Sequence, residues 1–306
     1  MKIFLAGHKG LVGSAILRSL KRNGFNKIIT VDKKRLNLLD QKKVLSFLKK
    51  NKPDIVIIAA ARVGGIHANN TFGGNFIYEN IQIQTNLIHG SYLSKIKNLI
   101  FLGSSCIYPK SAKQPLKEEY LLSGKLEETN EPYAVAKIAG IKMCEAYNKQ
   151  YGTNYKCIMP ANTYGPNDHY DLKNSHFFPA LIRKAHDCKM KNKKSFNVWG
   201  SGKPFRELIY VDDVADACVF FMKKKIKDTL INIGTGKDYT ISYYAKFIKK
   251  KLKLSTKINF DKTKPDGVKR KVLNISRAQS YGWKPKISLD EGFEKTYASY
   301  KKLILK

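Results

Sequence analysis

The stretch Lys2-Ile3-Phe4-Leu5-Ala6-Gly7-His8-Lys9-Gly10-Leu11-Val12-Gly13-Ser14 opens the chain and decides its fold. A short apolar run reads as a buried strand, and three glycines spaced three apart end it. The apolar positions that follow, through about residue 22, recur at helical spacing. In that strand–turn–helix setting each glycine has a reason. Gly7 permits the tight turn, Gly10 lets backbone approach a pyrophosphate, and Gly13 lets helix pack on strand. The free amides at the helix start favour phosphate oxygens.

Working outward, the alternation continues. Residues 27–32, 54–59, 98–103 and 155–160 read as further strands. Residues 40–50, 76–94 and 133–151 read as the helices between them. Uninterrupted apolar runs are what a parallel sheet covered on both faces requires. The expectation is an α/β fold, a Rossmann-type doubly wound parallel sheet, with a smaller C-terminal α/β lobe. Past about residue 162 the pattern changes. Residues 177–187 look helical, 196–199 and 207–211 extended around a Gly200-Ser201-Gly202 turn, and 212–223 helical again. We expect a cofactor-binding domain over 1–165, a return of the chain around 208–216, and a substrate lobe over 166–306. No internal repeat or low-complexity linker marks the boundary.

Composition bounds the class. In 306 residues, 43% hydrophobic and 11% aromatic content fits a chain that buries a core. The longest apolar run, 55–61, is strand-sized and too short for a membrane span. The N-terminus lacks the apolar length of a signal peptide, so a cytoplasmic protein is expected. The five cysteines are odd in number and scattered without CxxC spacing, which argues against disulfide frameworks and zinc. The net charge of +33 raises nucleic-acid binding as a reading. The lysines, however, are spread along the whole chain between apolar positions, and such a field speaks first to solubility and to anionic small substrates.

Two further stretches carry chemistry. Tyr133-Ala134-Val135-Ala136-Lys137 puts a phenol and an ammonium on one helix face. A tyrosine is a poor proton donor at neutral pH unless a cation stabilises its phenolate, which Lys137 could supply. The preceding strand ends in Gly103-Ser104-Ser105-Cys106, and ligands bind at such carboxyl ends. Ser104, Tyr133 and Lys137 thus form a set able to hydrogen-bond a carbonyl while hydride arrives. The nicotinamide cofactor is read two ways. Asp32 ends the second strand, where a carboxylate takes a ribose 2′-hydroxyl and favours NAD. Lys9, Lys33, Lys34 and Arg35 favour a 2′-phosphate, and on charge the balance tips to NADP.

Together with Ala60–Ile66, Val198–Gly202, Val211-Asp212-Asp213 and Lys264-Pro265-Asp266-Gly267, the stretches Gly103–Pro109, Asn130–Lys137 and Asn174-Ser175-His176 resemble the GDP-L-fucose synthase family of extended short-chain dehydrogenases/reductases. The resemblance spans essentially the whole chain. It implies epimerisation of a GDP-4-keto-6-deoxy sugar at C3 and C5, then reduction at C4 with NADPH. It further implies Cys106 as base and His176 as acid, beside Ser104, Tyr133 and Lys137. For the cofactor it implies Gly7, Lys9, Gly10, Leu11, Val12, Gly13, Lys33, Lys137, Asn162 and His176. For the GDP-sugar it implies Lys184, Trp199, Arg206, Asp266 and Arg270, and for assembly a homodimer through the two long helices. Without the resemblance, Cys106 reads as a small buried residue and His176 as a helix-cap neighbour. Lysines at 9 and 33 stand where arginines would grip a 2′-phosphate better, and Asp32 is unhelpful there. Two other readings stay open. One is C4 reduction of a different GDP-4-keto sugar, such as a heptose or dideoxy sugar. The other is a non-catalytic dinucleotide- or nucleic-acid-binding relative.

Overall fold

The computed structural model describes every residue except Lys173, Pro265 and Lys306; Pro265 of the 264–267 stretch therefore lies outside the described residues. The opening strand β1 (Ile3–Ala6) is wholly buried and runs into α1 (Leu11–Arg22), whose last turn carries Lys21 and Arg22 at the negative end of the helix dipole. The short β2 (Ile28–Ile29) follows. Then come α2 (Gln41–Asn51), capped by Asp40, and β3 (Ile55–Ile58). Next are the short α3 (Ile66–Thr71) and the long α4 (Gly73–Leu93), with β4 (Asn98–Leu102) behind them. Helix α5 (Glu131–Tyr151) has Pro132 in its first turn, where the missing N–H costs nothing, and ends on Gly152 at φ +60°. Strand β5 (Asn154–Pro160) completes the series.

These strands form one parallel sheet in the order β2-β1-β3-β4-β5, extended on its far edge by β9, Leu230–Ile233. The order reverses between β1 and β3, so a crevice opens outside their carboxyl ends. That crevice holds the Gly7–Gly13 turn. Helices α2, α4 and α5 pack on one another on one side, and α1 packs on α7 (Val211–Lys223) on the other.

The second lobe is built from β6 (Asn162–Tyr164), α6 (Phe177–Met190), β7 (Ser195–Trp199), β8 (Phe205–Tyr210), β10 (Asp238–Thr240), α8 (Ile241–Lys251), β11 (Lys257–Asp261), β12 (Arg270–Lys271) and α10 (Leu289–Ile304). Strand β8 is its spine. It takes β10 antiparallel and β12 parallel along its first half, and β6 parallel along its second. Its core gathers Tyr164, Phe178, Tyr244 and Phe293. The return of the chain expected around 208–216 runs further. Residues of α7, β9, α9 (Ser276–Ser280) and Trp283 all belong to the core of the large sheet. Strand β9 was not expected, and without it the sheet has no sixth member.

Candidate active site

The glycine turn is built as a cradle. Gly7 sits at φ +88°, a conformation costly for any residue with a Cβ. A Cβ on Gly13 would lie 2.0 Å from the Gly7 carbonyl oxygen, so helix and turn meet there backbone to backbone. Gly10 differs, because a Cβ there would meet nothing nearer than 3.7 Å. Its side of the turn is open toward the crevice, as a pyrophosphate seat needs. The residues therefore fit a dinucleotide. Lys9 Nζ lies 2.9 Å from Asp32 Oδ1, and His8 Nε2 lies 3.4 Å away. The hydrogen bond from Lys9 holds the Asp32 carboxyl below its ordinary range. The acid that seemed hostile to a 2′-phosphate is thus neutralised in place, at the cost of engaging Lys9. Lys33 is exposed beside it. Asn167 Nδ2 donates to Ser14 Oγ at 3.0 Å and ties the loop after β6 to the first turns of α1, a contact that no motif announced.

The reacting groups converge at the end of β4. Ser104 caps a single 3-10 turn over Ser105–Ile107, its Oγ accepting from the Cys106 amide at 3.5 Å. The Ser104 hydroxyl also lies near enough to the Cys106 thiol and the Tyr133 phenol to favour the anionic form of each. Tyr133 is set edge-on against Phe76, ring centroids 6.2 Å apart. Lys137 is 3% exposed. Its ammonium donates to Leu102 O at 2.9 Å and stands 4.7 Å from the Phe101 ring centroid and 5.7 Å from that of Tyr133. The four-residue spacing does place phenol and ammonium on one face, but burial dominates both. It raises the phenol above its ordinary range, with Cys106 adding to the rise and Ser104 opposing it. It pulls Lys137 down to about 8.

Cys106 is 8% exposed. Burial pushes its thiol up, and the ammonium of Lys271 pulls hardest the other way, followed by Ser104 and Lys137. His176 is the N-cap of α6 but makes no side-chain cap bond. The residue as a whole keeps more than a third of its surface open, yet desolvation, aided by Lys271, holds its ring below the ordinary histidine range. The segment before it is braced from the other lobe. Gly65 N donates to Asn174 O at 2.8 Å, and Asn69 Nδ2 closes the Gly64–Gly65 turn by bonding both carbonyls, at 2.7 and 3.0 Å. The Ala60–Ile66 and Asn174–His176 stretches are thus one structural unit.

The remaining residues divide. Trp199 is 45% exposed with Lys184 Nζ 5.0 Å above its ring, a flat cationic shelf on the second lobe. Arg206 donates to Val268 O at 2.6 Å and reaches Asp266 O at 3.4 Å, bracing the 266–268 loop. Asp266 is turned to the Gly200–Gly202 turn, its Oδ1 and Oδ2 accepting from Ser201 N at 2.6 Å and Ser201 Oγ at 2.7 Å. Arg270 makes a two-pronged pair with Asp238, at 2.7 and 3.0 Å. Asn162 Nδ2 donates to Glu207 O at 2.9 Å. Asp266, Arg270 and Asn162 therefore already hold the lobe together, whatever else they do. Lys271 was missed. It stood next to the 266–270 segment, but nothing in a lysine-rich chain distinguished it.

The NAD dependent epimerase/dehydratase family matches residues 3–234. The chain is 50% identical over 301 residues to GDP-L-fucose synthase 1 of Arabidopsis thaliana, covering 98% of this chain and 93% of that protein. It is 47% identical over 305 residues to GDP-L-fucose synthase of Escherichia coli, covering 97% and 95%. Among solved structures, a GDP-mannoheptose C4 reductase from Campylobacter jejuni with NADP bound superposes with a TM-score of 0.89, at 40% identity and 98% coverage of each chain.

Proposed function

Because the chain belongs to the NAD dependent epimerase/dehydratase family, and within it to the GDP-L-fucose synthases, we propose that it converts a GDP-4-keto-6-deoxy sugar to GDP-L-fucose with NADPH. What carries the reading is the meeting of Ser104, Cys106, Tyr133 and Lys137 at the carboxyl end of one strand of the sheet, with Lys271 acting on both Cys106 and His176.

Epimerisation next to a ketone needs a base on one face and an acid on the other. Cys106 removes the proton alpha to the C4 carbonyl, and His176 returns one from the opposite side. The ketone oxygen gathers charge as the proton leaves, and Ser104 and Tyr133 donate hydrogen bonds to it. Reduction follows at the same carbonyl. The cofactor supplies hydride; Gly7–Gly13 and Lys9 would hold it. Tyr133 then gives its proton to the C4 oxygen, and the neighbouring Lys137 charge eases that transfer from a buried phenol. The smaller lobe takes the GDP moiety, with Trp199 and Lys184 as the shelf and Arg206 on the phosphates. The larger lobe takes the cofactor.

Incubation with GDP-4-keto-6-deoxymannose and NADPH in deuterium oxide tests this. GDP-L-fucose labelled at C3 and C5 is expected, and absence of turnover by folded protein refutes it. A second reading draws on the likeness to the mannoheptose C4 reductase: reduction without epimerisation, on a different GDP-4-keto sugar. Product without deuterium at C3 and C5 would select that reading. Exposed Tyr78 and Leu93 on α4 and Val135 on α5 support a homodimer through those helices, to be read by light scattering. Among the described residues no helix is long and apolar enough to cross a membrane.

A further inference from the structure

Strand β12 is only two residues long, but it is pinned on both sides. Leu273 N donates to the buried Glu207 Oε2 at 2.7 Å, Val272 N to Gln114 Oε1 at 3.0 Å, and Leu116 N to Val272 O at 2.8 Å. Lys271 is in register with Arg206 on β8. The segment is thereby wedged between β8 and the 114–116 loop, and Cys106 and Lys271 line the same small cavity, together with Asn130. We propose that Lys271 is a positioning residue of the epimerisation step, its ammonium holding the Cys106 sulfur in the anionic form that removes a proton. The proposal rests on the assignment of Cys106 as the base.

Several charged and titratable groups surround the thiol. Its own turn and the loop after it bring Ser104, Tyr108 and Lys110, α5 brings Tyr133 and Lys137, the loop before α5 brings Glu127, and β12 brings Arg270 and Lys271. Lys110 is paired with Glu127 and Arg270 with Asp238. Lys137 is spent on the Leu102 carbonyl. Lys271 in turn faces Glu127, Arg206 and, across the cleft, His176. Its pull on the thiol exceeds that of Lys137. The same charge disfavours a proton on His176, so it makes the base more anionic and the acid stronger. The first effect speeds proton removal next to a ketone; the second strengthens the His176 imidazolium as an acid while thinning its population. Neither touches hydride delivery at C4, where Ser104, Tyr133 and Lys137 act.

Three readouts of Lys271→Met and Lys271→Arg test this, on the full chain with NADPH. Peptide-mapped alkylation of Cys106 by iodoacetamide is followed against pH. One lost charge near the sulfur should move its midpoint alkaline by about one unit in Lys271→Met, with Lys271→Arg close to wild type. Deuterium uptake at C3 and C5 of the keto sugar should fall about tenfold near neutral pH. NADP-dependent oxidation of GDP-L-fucose at C4 should stay within about twofold. An unmoved alkylation midpoint in folded Lys271→Met overturns the proposal, as does a parallel loss of C4 oxidation or an effect confined to KM for the GDP-sugar. Alkylation needs no sugar, so wild-type protein that forms no GDP-L-fucose would refute the functional reading and leave the Lys271 result to stand or fall alone.

Discussion

Replacing Gly10 by alanine separates two reasons for a glycine in the opening turn. Its backbone, at φ −74° and ψ 171°, is one any residue adopts. An added Cβ would make only an ordinary contact at 3.7 Å with Gly7 O. Losing glycine at a helix N-cap costs up to about 1 kcal/mol, and the stiffer unfolded chain returns about 0.4–1 kcal/mol. Folding stability should therefore hold within about 0.5 kcal/mol. The new methyl, however, projects into the crevice where a pyrophosphate would meet the amides of α1. Losing two amide bonds to phosphate, at about 1.5 kcal/mol each, weakens NADPH binding on the order of 100-fold. Gly13→Ala is the contrast. Its Cβ, 2.0 Å from Gly7 O, forces backbone apart, costs about 1–3 kcal/mol or more, and lowers Tm by roughly 2–6 °C. NADPH fluorescence titration beside thermal unfolding reads both variants. Gly10→Ala that binds NADPH within about threefold of wild type would refute the assignment of this turn as the pyrophosphate seat.

Three further outcomes follow from the site. Lys137 is held to about 8 by burial, so its ammonium is present below that pH and lost above it; kcat/KM should fall through an alkaline limb near about 8, and Lys137→Met should lower turnover at least about 100-fold at neutral pH. Arg206→Ala should weaken GDP binding by about 2–3 kcal/mol in calorimetry, whereas Arg270→Ala, already committed to Asp238, should change it less than about tenfold. Asp32→Asn releases Lys9 from its 2.9 Å ion pair and should raise the NADPH-to-NADH ratio of kcat/KM by about tenfold; an unchanged ratio would show that Lys9 does not face the 2′-phosphate.

The large sheet was legible because its signals are local. Four-residue runs such as Ile55–Ile58, buried on both faces, have no polar alternation to confuse them, and the glycine turn fixes where the crevice lies. Helix α3 escaped because six residues rich in Asn give no periodicity. The strand pairing of the second lobe escaped because its order is non-local: β8 takes partners from residues 162–164, 238–240 and 270–271, and no spacing rule connects those. The same distance in sequence hid Lys271. Among 57 basic residues, the one beside Cys106 differs only in what folds onto it. Asp266 and Arg270 came from the resemblance alone, and no spacing rule announced the bonds they make to Ser201 and Asp238.

The repeated crossing of the chain between its two cores bears on how such a protein can be re-engineered. With β9 completing the first sheet and Trp283 seated in its core, a chimera spliced once near residue 165 would receive a foreign sixth strand and a foreign plug. Exchanging nucleotide-sugar preference with a cousin would need at least four junctions, bounding 166–204 and 235–272. Recombination at the apparent boundary should yield aggregates rather than hybrids.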